Sequence, residues 1–274
     1  SALNSRPSPP LEPLPMRSAL TTVLLTTVLV LAAPAATARP QVAPASAPAP
    51  TPAAGQKAPT PAQEKKTEPR NNGGVDCANC VAITYDDGPG AETNRLLDKL
   101  KAKNAHASFM VLAPNAYQHP ELLKRMKAEG HTIGNHTKSH RQLNTLSYDQ
   151  VSQEIDAGNA AITKATGQGT RWVRPPYGAT NATVDQATRD KGVSQALWDV
   201  DTVDWKDRNS DHVCSAAVQG ARAGSIVLMH DIHPTTVDAA DCVIDGLRAK
   251  GLEPVSLDRL LRTPVAGKRY YARG

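Results

Sequence analysis

Residues 80–89 read Cys-Val-Ala-Ile-Thr-Tyr-Asp-Asp-Gly-Pro: six residues of β type, two adjacent carboxylates, then a turn. A short apolar run bounded by turn residues fits a strand buried on both faces of a parallel sheet. The acidic pair falls where such a strand would end. Working outward, the chain repeats the arrangement. Further β-type runs lie at 106–112, 131–135, 171–174, 194–199, 225–229 and 253–256, with helical patterns between them. Residues 91–103 place Leu96, Leu97 and Leu100 on one stripe, and 148–165 do the same with Tyr148, Val151, Ile155 and Ile162. Ser147 and Gln150 form a candidate capping box for the second helix, and Gly167 supplies its stop. A third helix spans 235–250, opening at Thr235-Thr236 and ending at Gly251. Seven βα units imply a parallel sheet with right-handed crossovers. Periodicity leaves two closures open, a TIM-like barrel or an open doubly wound sheet.

The polar residues favour the barrel. Asp86-Asp87 follow the first run, His136 the third and Asp199 to Asp204 the fifth, while Arg174 ends the fourth and His230 the sixth. Side chains leaving the C-terminal ends of parallel strands converge on one face, where barrel enzymes carry their active sites.

Composition limits where this fold can lie. Of the 22 prolines, 14 fall in residues 1–70, and no aromatic residue precedes Tyr85. Such a segment lacks the apolar surface to offset its ordering entropy. Met16-Arg17, the apolar stretch 18–33 and Ala36-Thr37-Ala38 follow the secretory signal pattern, with a retained membrane anchor as the alternative. The expected organisation is therefore a signal peptide region over 1–38, with residues 1–15 an over-long N-terminus if Met16 is the start. A disordered Ala/Pro-rich linker over 39–74, a catalytic domain over 75–262 and a basic tail over 263–274 follow. Export places Cys77, Cys80, Cys214 and Cys242 where cysteines pair as disulfides, and it leaves no stable membrane partner once the leader is cleaved. The net charge of +5 comes from the ends: residues 1–70 carry +4 and 263–274 carry +3, leaving −2 for 71–262. A near-neutral folded part lacks a nucleic-acid footprint. The basic ends are expected to be solvated tails, with contact to an anionic cell wall or membrane surface as the alternative, and the expected form is a secreted monomer.

His136 and His140 are four residues apart. On a helix they would share a face and could share one metal ion. A carboxylate from Asp86-Asp87 completes two histidines and one carboxylate, the open pattern of catalytic rather than structural zinc sites. Two adjacent buried carboxylates need cations, which a metal beside one and Arg174 beside the other would supply. By itself, Asp-Asp-Gly-Pro is also ordinary turn chemistry.

Taken together, Thr84-Tyr85-Asp86-Asp87-Gly88-Pro89, His136 with His140, Arg174-Pro175-Pro176-Tyr177-Gly178, Asp201 with Asp204-Trp205, and Leu228-Met229-His230 resemble, in order, the five motifs of the polysaccharide deacetylases, the NodB-like carbohydrate esterases of family four. The resemblance covers about residues 80–260 and implies a distorted TIM-like barrel of seven or eight βα units. It implies that Asp87, His136 and His140 bind one divalent metal, usually zinc, with cobalt or nickel able to replace it. It assigns Asp86 as general base, Arg174 as its holder, and His230 as general acid oriented by Asp204. The Tyr177 N–H is implied as an oxyanion donor. Trp205 and Leu228 are implied as walls of the acetyl pocket, and Pro175, Pro176 and Tyr177 as further substrate-binding residues.

Some residues invite other readings. His233 is expected in a cleft wall rather than on the metal, and the acidic 199–211 segment fits no calcium loop. The sequon at Asn135 is read as coincidental, and Trp172 and Trp198 as core residues. The expected substrate is a polysaccharide. The segments 204–209 and 230–236 look most like bacterial peptidoglycan N-acetylglucosamine deacetylases. Chitooligosaccharides or acetylxylan are alternatives with the same mechanism, and a non-catalytic wall-binding protein is the alternative of another class.

Overall fold

Every position of β1 (Cys80–Asp86) is buried, and its residues divide between two cores. Val81, Ile83 and Tyr85 join the layer between sheet and helices, while Cys80 and Ala82 point into a second cluster with Met110, Trp172, Ala196 and Ile226. Strand alternation carries the inward series on through Thr84 to Asp86 at the C-terminal end. The acidic residue thus arrives at the mouth of the sheet by period two alone. The computed structural model describes residues 77–274. The expected signal region (1–38) and linker (39–74) lie outside the described residues.

The remaining strands are β2 (Ser108–Val111), β3 (Thr132–Asn135), β4 (Trp172–Val173), β5 (Ser194–Ala196), β6 (Val200–Asp201), β7 (Ile226–His230), β8 (Glu253–Val255) and β9 (Arg269–Tyr270). Their order is β6-β7-β1-β2-β3-β4-β5-β9, with β8 beside the start of β1, and all these pairs are parallel. Residues 194–201 border β4 through Ser194 and Gln195, then β7 through Val200 and Asp201. One stretch of chain therefore touches both flanks, and the sheet curls back on itself as a distorted barrel. This is the closed alternative of the two that periodicity left open.

Nine helices occur among the described residues: α1 (Thr93–Ala102), α2 (Ala113–Gln118), α3 (Pro120–Ala128), α4 (Tyr148–Thr166), α5 (Ala182–Asp190), α6 (Asp204–Asp207), α7 (Ser210–Gly220), α8 (Pro234–Ala249) and α9 (Leu257–Leu260). The capping box on α4 is present in both directions, and the helix ends at Gly167 with φ 73°. That left-handed position costs least at glycine. The four cysteines form two disulfides, Cys77–Cys80 and Cys214–Cys242, the second joining α7 to α8.

The expected tail over 263–274 is not a tail, and the domain does not stop at 262. The Gln195 N–H donates to Lys268 O at 2.9 Å, and the Leu197 N–H to Tyr270 O at 2.7 Å. Tyr270 is buried with its ring edge-on to Trp172, and Arg269 grips Asp185 with two bonds of 2.7 and 2.8 Å. A reading by charge counted the basic residues and passed over the aromatic one that anchors them.

Candidate active site

The loop after β3 carries the two histidines, and it is not helical as the four-residue spacing suggested. Thr137 and His140 adopt φ of 77° and 54°, so the chain turns sharply to return His140 beside His136. Side chains from elsewhere hold that turn. Asn135 Oδ1 accepts from the Thr137 N–H at 2.7 Å. Glu154, buried on α4, accepts from the N–H groups of Lys138 and Ser139 at 3.0 and 2.9 Å and from the Ser139 hydroxyl at 2.5 Å. Asn135 itself is fully buried with its amide donated to Ile155 O and Asn159 Oδ1, so its sequon has no exposed acceptor.

Each imidazole has its Nδ1 engaged. His136 Nδ1 lies 2.8 Å from Arg174 O, and His140 Nδ1 lies 3.1 Å from the Tyr177 hydroxyl. This leaves both Nε2 atoms facing Asp87 Oδ1, at 3.4 and 3.3 Å. Asp87 Oδ1 is buried and has no hydrogen-bond partner, and the three side chains form a group able to hold a metal ion. Buried acceptors are rarely left unpaired, so the orphaned oxygen between two free imidazole nitrogens fits a cation. Burial pushes the Asp87 carboxyl up, but the imidazoles of His136, His230 and His140 around it outweigh this and hold it at about 2. Asp87 also sits at φ 71°, a left-handed turn that redirects the chain as it leaves β1.

Asp86 faces the other way. Its Oδ1 is 2.7 Å from Arg174 Nη1, while Oδ2 points towards His136 Nε2 at 3.6 Å. Arg174 is completely buried, yet its donors reach Thr84 Oγ1 at 2.8 Å, Ala196 O at 2.7 Å and Leu197 O at 3.2 Å. A buried guanidinium needs that number of acceptors. It holds one Asp86 oxygen and leaves the second free.

Across the mouth, Asp204 reaches under β7. Val203 before it takes φ 55°, an unfavourable conformation for a β-branched residue, and its N–H donates to Asp201 Oδ1 at 2.8 Å. Asp204 Oδ1 pairs with His230 Nδ1 at 2.8 Å, and Oδ2 accepts from the His230 N–H and the Thr236 hydroxyl, both at 2.7 Å. Burial disfavours the imidazolium of His230. The Asp204 bond and the charges of Asp86, Asp204 and Asp87 outweigh this and raise its pKa to about 9. Burial also raises the Asp204 carboxyl, but the pairing with His230 wins and lowers it.

Asp86, Asp87, His136, His140 and His230 line a cavity of about 540 Å³ walled further by Tyr177, Trp198, Asp201, Trp205 and Leu228. Tyr177 and Trp205 stand 68% and 50% exposed at its rim. Trp198 departs from its expected core role: it lines the cavity with one face under the Arg174 guanidinium, whereas Trp172 is core. Pro175 and Pro176 are buried and do not line it; they lead into the turn that sets Tyr177 at φ 62°. His233 is buried with its ring 5.8 Å from that of His230 and in contact with Arg208, outside the metal-type group and not lining the cavity. Sequence reasoning missed Glu154 and Asn135, though a carboxylate beside Ile155 on the apolar stripe of α4 was a readable signal.

Fold and site together define an α/β barrel protein with one Asp-His-His group, a guanidinium-held carboxylate and a carboxylate-held imidazole at the C-terminal ends of its strands. Residues 73–196 match the family model for polysaccharide deacetylase. Peptidoglycan-N-acetylglucosamine deacetylase PgdA of Listeria monocytogenes is 40% identical over 193 residues, covering 70% of this chain and 41% of that protein. The chain thus spans about two fifths of that relative's length. The chitooligosaccharide deacetylase of Rhizobium leguminosarum bv. trifolii is 35% identical over 185 residues, 67% of this chain and 85% of that one. A solved structure described as T48 deacetylase with substrate matches with TM-score 0.69 and 40% identity, over 72% of this chain and 99% of that one. The chain belongs to the polysaccharide deacetylase family.

Proposed function

We propose that this protein hydrolyses acetyl groups from N-acetylglucosamine residues of peptidoglycan, using one divalent metal ion held by Asp87, His136 and His140. The observation that carries the reading is the buried, unpartnered Asp87 Oδ1 facing two imidazoles whose other nitrogens are occupied. Zinc suits two imidazoles and one carboxylate, and cobalt or nickel can take its place. The bound ion supplies Lewis acidity, polarising the acetyl carbonyl and acidifying water.

The protein's own groups divide the proton work. Asp86, with one oxygen fixed by Arg174, takes the proton of the attacking water on its free Oδ2. His230, kept protonated by Asp204 and the nearby carboxylates, gives its proton to the departing nitrogen. A histidine raised by its surroundings, set across from a carboxylate held by one oxygen, divides the duties of acid and base. The Tyr177 N–H is directed at the oxygen that gains charge, where a donor counts most. Trp205 and Leu228 close around the acetyl methyl group, and Tyr177 and Trp205 present faces to the sugar.

The likeness to PgdA, 40% identical, supports peptidoglycan as the substrate, and the leader-like stretch 18–38 supports a secreted enzyme acting at the wall. The likeness to a chitooligosaccharide deacetylase makes short N-acetylglucosamine oligomers the second substrate to try. Acetate release decides the matter, measured on peptidoglycan, chitooligosaccharides and acetylxylan after chelation and again after zinc is restored. Zinc-restored release, greatest on peptidoglycan, is expected. No release from any of the three by metal-loaded protein would overturn the reading and favour a wall-binding role.

A further inference from the structure

We infer that Glu154, on α4 and outside the cavity lining, is a positioning residue that presets the metal group by fixing the loop between its two histidines. The inference rests on the metal reading of Asp87, His136 and His140 given above. The two histidines are separated by Thr137, Lys138 and Ser139, and this short loop contains no helical turn. Thr137 and His140 both lie in the left-handed region, which non-glycine residues keep only when their surroundings hold them there.

The surroundings here are mainly one carboxylate. Glu154 Oε2 receives two consecutive N–H groups, those of Lys138 and Ser139, and Oε1 receives the Ser139 hydroxyl. Two successive amides aimed at one oxygen are the arrangement a backbone adopts around an anion. The loop closes on an internal carboxylate as it would on a bound ion. Glu154 is buried and faces the loop from the apolar side of α4, beside Val151, Ile155 and Gly158. A long helix with a full capping box is a rigid platform for such a template. Lys138 and Ser139 are exposed, so solvent would otherwise compete for their amides. Asn135 Oδ1 fixes the Thr137 N–H, and Arg174 O and the Tyr177 hydroxyl fix the two rings. Glu154 holds two consecutive amides of the backbone between the ligands, where Asn135 holds only that of Thr137, and so acts on the distance between their Nε2 atoms. Groups that orient metal ligands are worth about 10–100-fold in metal affinity.

The test uses three variants of the whole protein and reads zinc affinity directly, by competition with a chromophoric chelator. Glu154→Leu leaves both amides without their acceptor, and its zinc Kd should rise about 10–100-fold. Glu154→Gln can turn its carbonyl to the two amides and its NH2 to the Ser139 oxygen, so it should bind zinc within a few-fold of wild type. Ser139→Ala removes the hydroxyl bond alone from an exposed position and should raise Kd a few-fold without moving the melting temperature. With zinc saturating, acetate release should show KM unmoved in all three, because none touches the sugar. Wild-type zinc affinity in both Glu154→Leu and Ser139→Ala would overturn the inference. So would equal loss in Glu154→Gln and Glu154→Leu, since hydrogen-bond geometry would then not be the cause. Should Glu154→Leu fail to fold, Ser139→Ala and Glu154→Gln still decide it, wild-type affinity in Ser139→Ala counting against. Absence of zinc binding in the wild type would overturn the metal reading itself.

Discussion

At the scale of single residues, neighbouring groups with like chemistry are given opposite tasks by their contacts. Asp86 and Asp87 are adjacent, yet one is gripped by Arg174 and the other faces imidazoles only. Asp86→Asn should therefore separate chemistry from binding. The amide cannot accept the water's proton, so kcat should fall about 10²–10⁴-fold, the contribution of a general base. Arg174 keeps Thr84, Ala196 and Leu197 as acceptors, so zinc content by elemental analysis should stay near one per chain. Unimpaired turnover would dismiss Asp86 as base. Tyr177 has two separable groups, the backbone N–H proposed as an oxyanion donor and the hydroxyl on His140 Nδ1. Tyr177→Phe spares the first and removes the second. Zinc affinity should weaken by about tenfold, as loss of an outer partner of a ligating histidine does. Unchanged affinity would mean that the ring packing of Tyr177 on His140, and not its hydroxyl, sets the ligand's orientation.

At the scale of elements, α1 and α8 lie together with a ladder of ion pairs: Arg95–Asp238 at 2.5 Å, Lys99–Asp241 at 2.5 Å and Lys103–Asp245 at 2.6 Å. The cations recur every four residues, and the carboxylates by three and then four, so both sets keep to one helix face. These side chains are solvated, and exposed pairs are worth about 0–1 kcal/mol each. Leu100, on the buried side of α1, is fully enclosed. Truncating such a leucine to alanine costs about 2–5 kcal/mol. Urea unfolding should find Leu100→Ala more destabilising than replacement of Arg95, Lys99 and Lys103 by glutamine together. The reverse order would make the ladder, and not the core stripe, the glue of this helix pair. The contrast also explains what the sequence could reveal. The long periods were readable: all seven expected β runs contain strands, and α1, α4 and α8 end within two residues of their expected limits. β6 and β9, two residues each, are too short for any period to register. The five polar clusters were legible because strand ends put them on one face. The route joining His136 to His140 was not, because a turn held by Glu154 and Asn135 depends on contacts 15 or more residues away or on left-handed backbone that spacing does not encode.

At the scale of the whole molecule, chemistry and stability occupy opposite ends of the barrel. The carboxylates and imidazoles of the site crowd the C-terminal strand ends, and the N-terminal end of β3 holds a histidine of another kind. His131 is buried, its Nδ1 accepts the Ala107 N–H at 3.1 Å, its Nε2 has no hydrogen-bond partner, and its ring meets Phe109 edge-on at 5.4 Å. Burial, with His106 beside it, lowers its pKa to about 4 despite the opposing pull of Glu129. Unfolded, the same ring titrates near 6.5. The folded state therefore binds fewer protons than the unfolded one between these values, and stability must fall as pH drops from about 6.5 to about 4. Above 6.5 the ring is neutral in both states and contributes no slope. At about 1.4 kcal/mol per unit, the loss reaches about 3 kcal/mol over the window, a large part of an ordinary domain's stability. His131→Asn keeps an acceptor near the Ala107 amide and cannot titrate. Its urea-unfolding free energy should start below the wild type's at pH 7.5 and decline less steeply towards pH 4. Groups other than its neighbours His106 and Glu129 titrate alike in both proteins, so the wild-type minus variant difference reports on this ring and its immediate surroundings. A constant difference from pH 7.5 to 4 would mean that the buried imidazole takes up its proton without unfolding the barrel, and that its neutral state is no part of what holds β2 and β3 together.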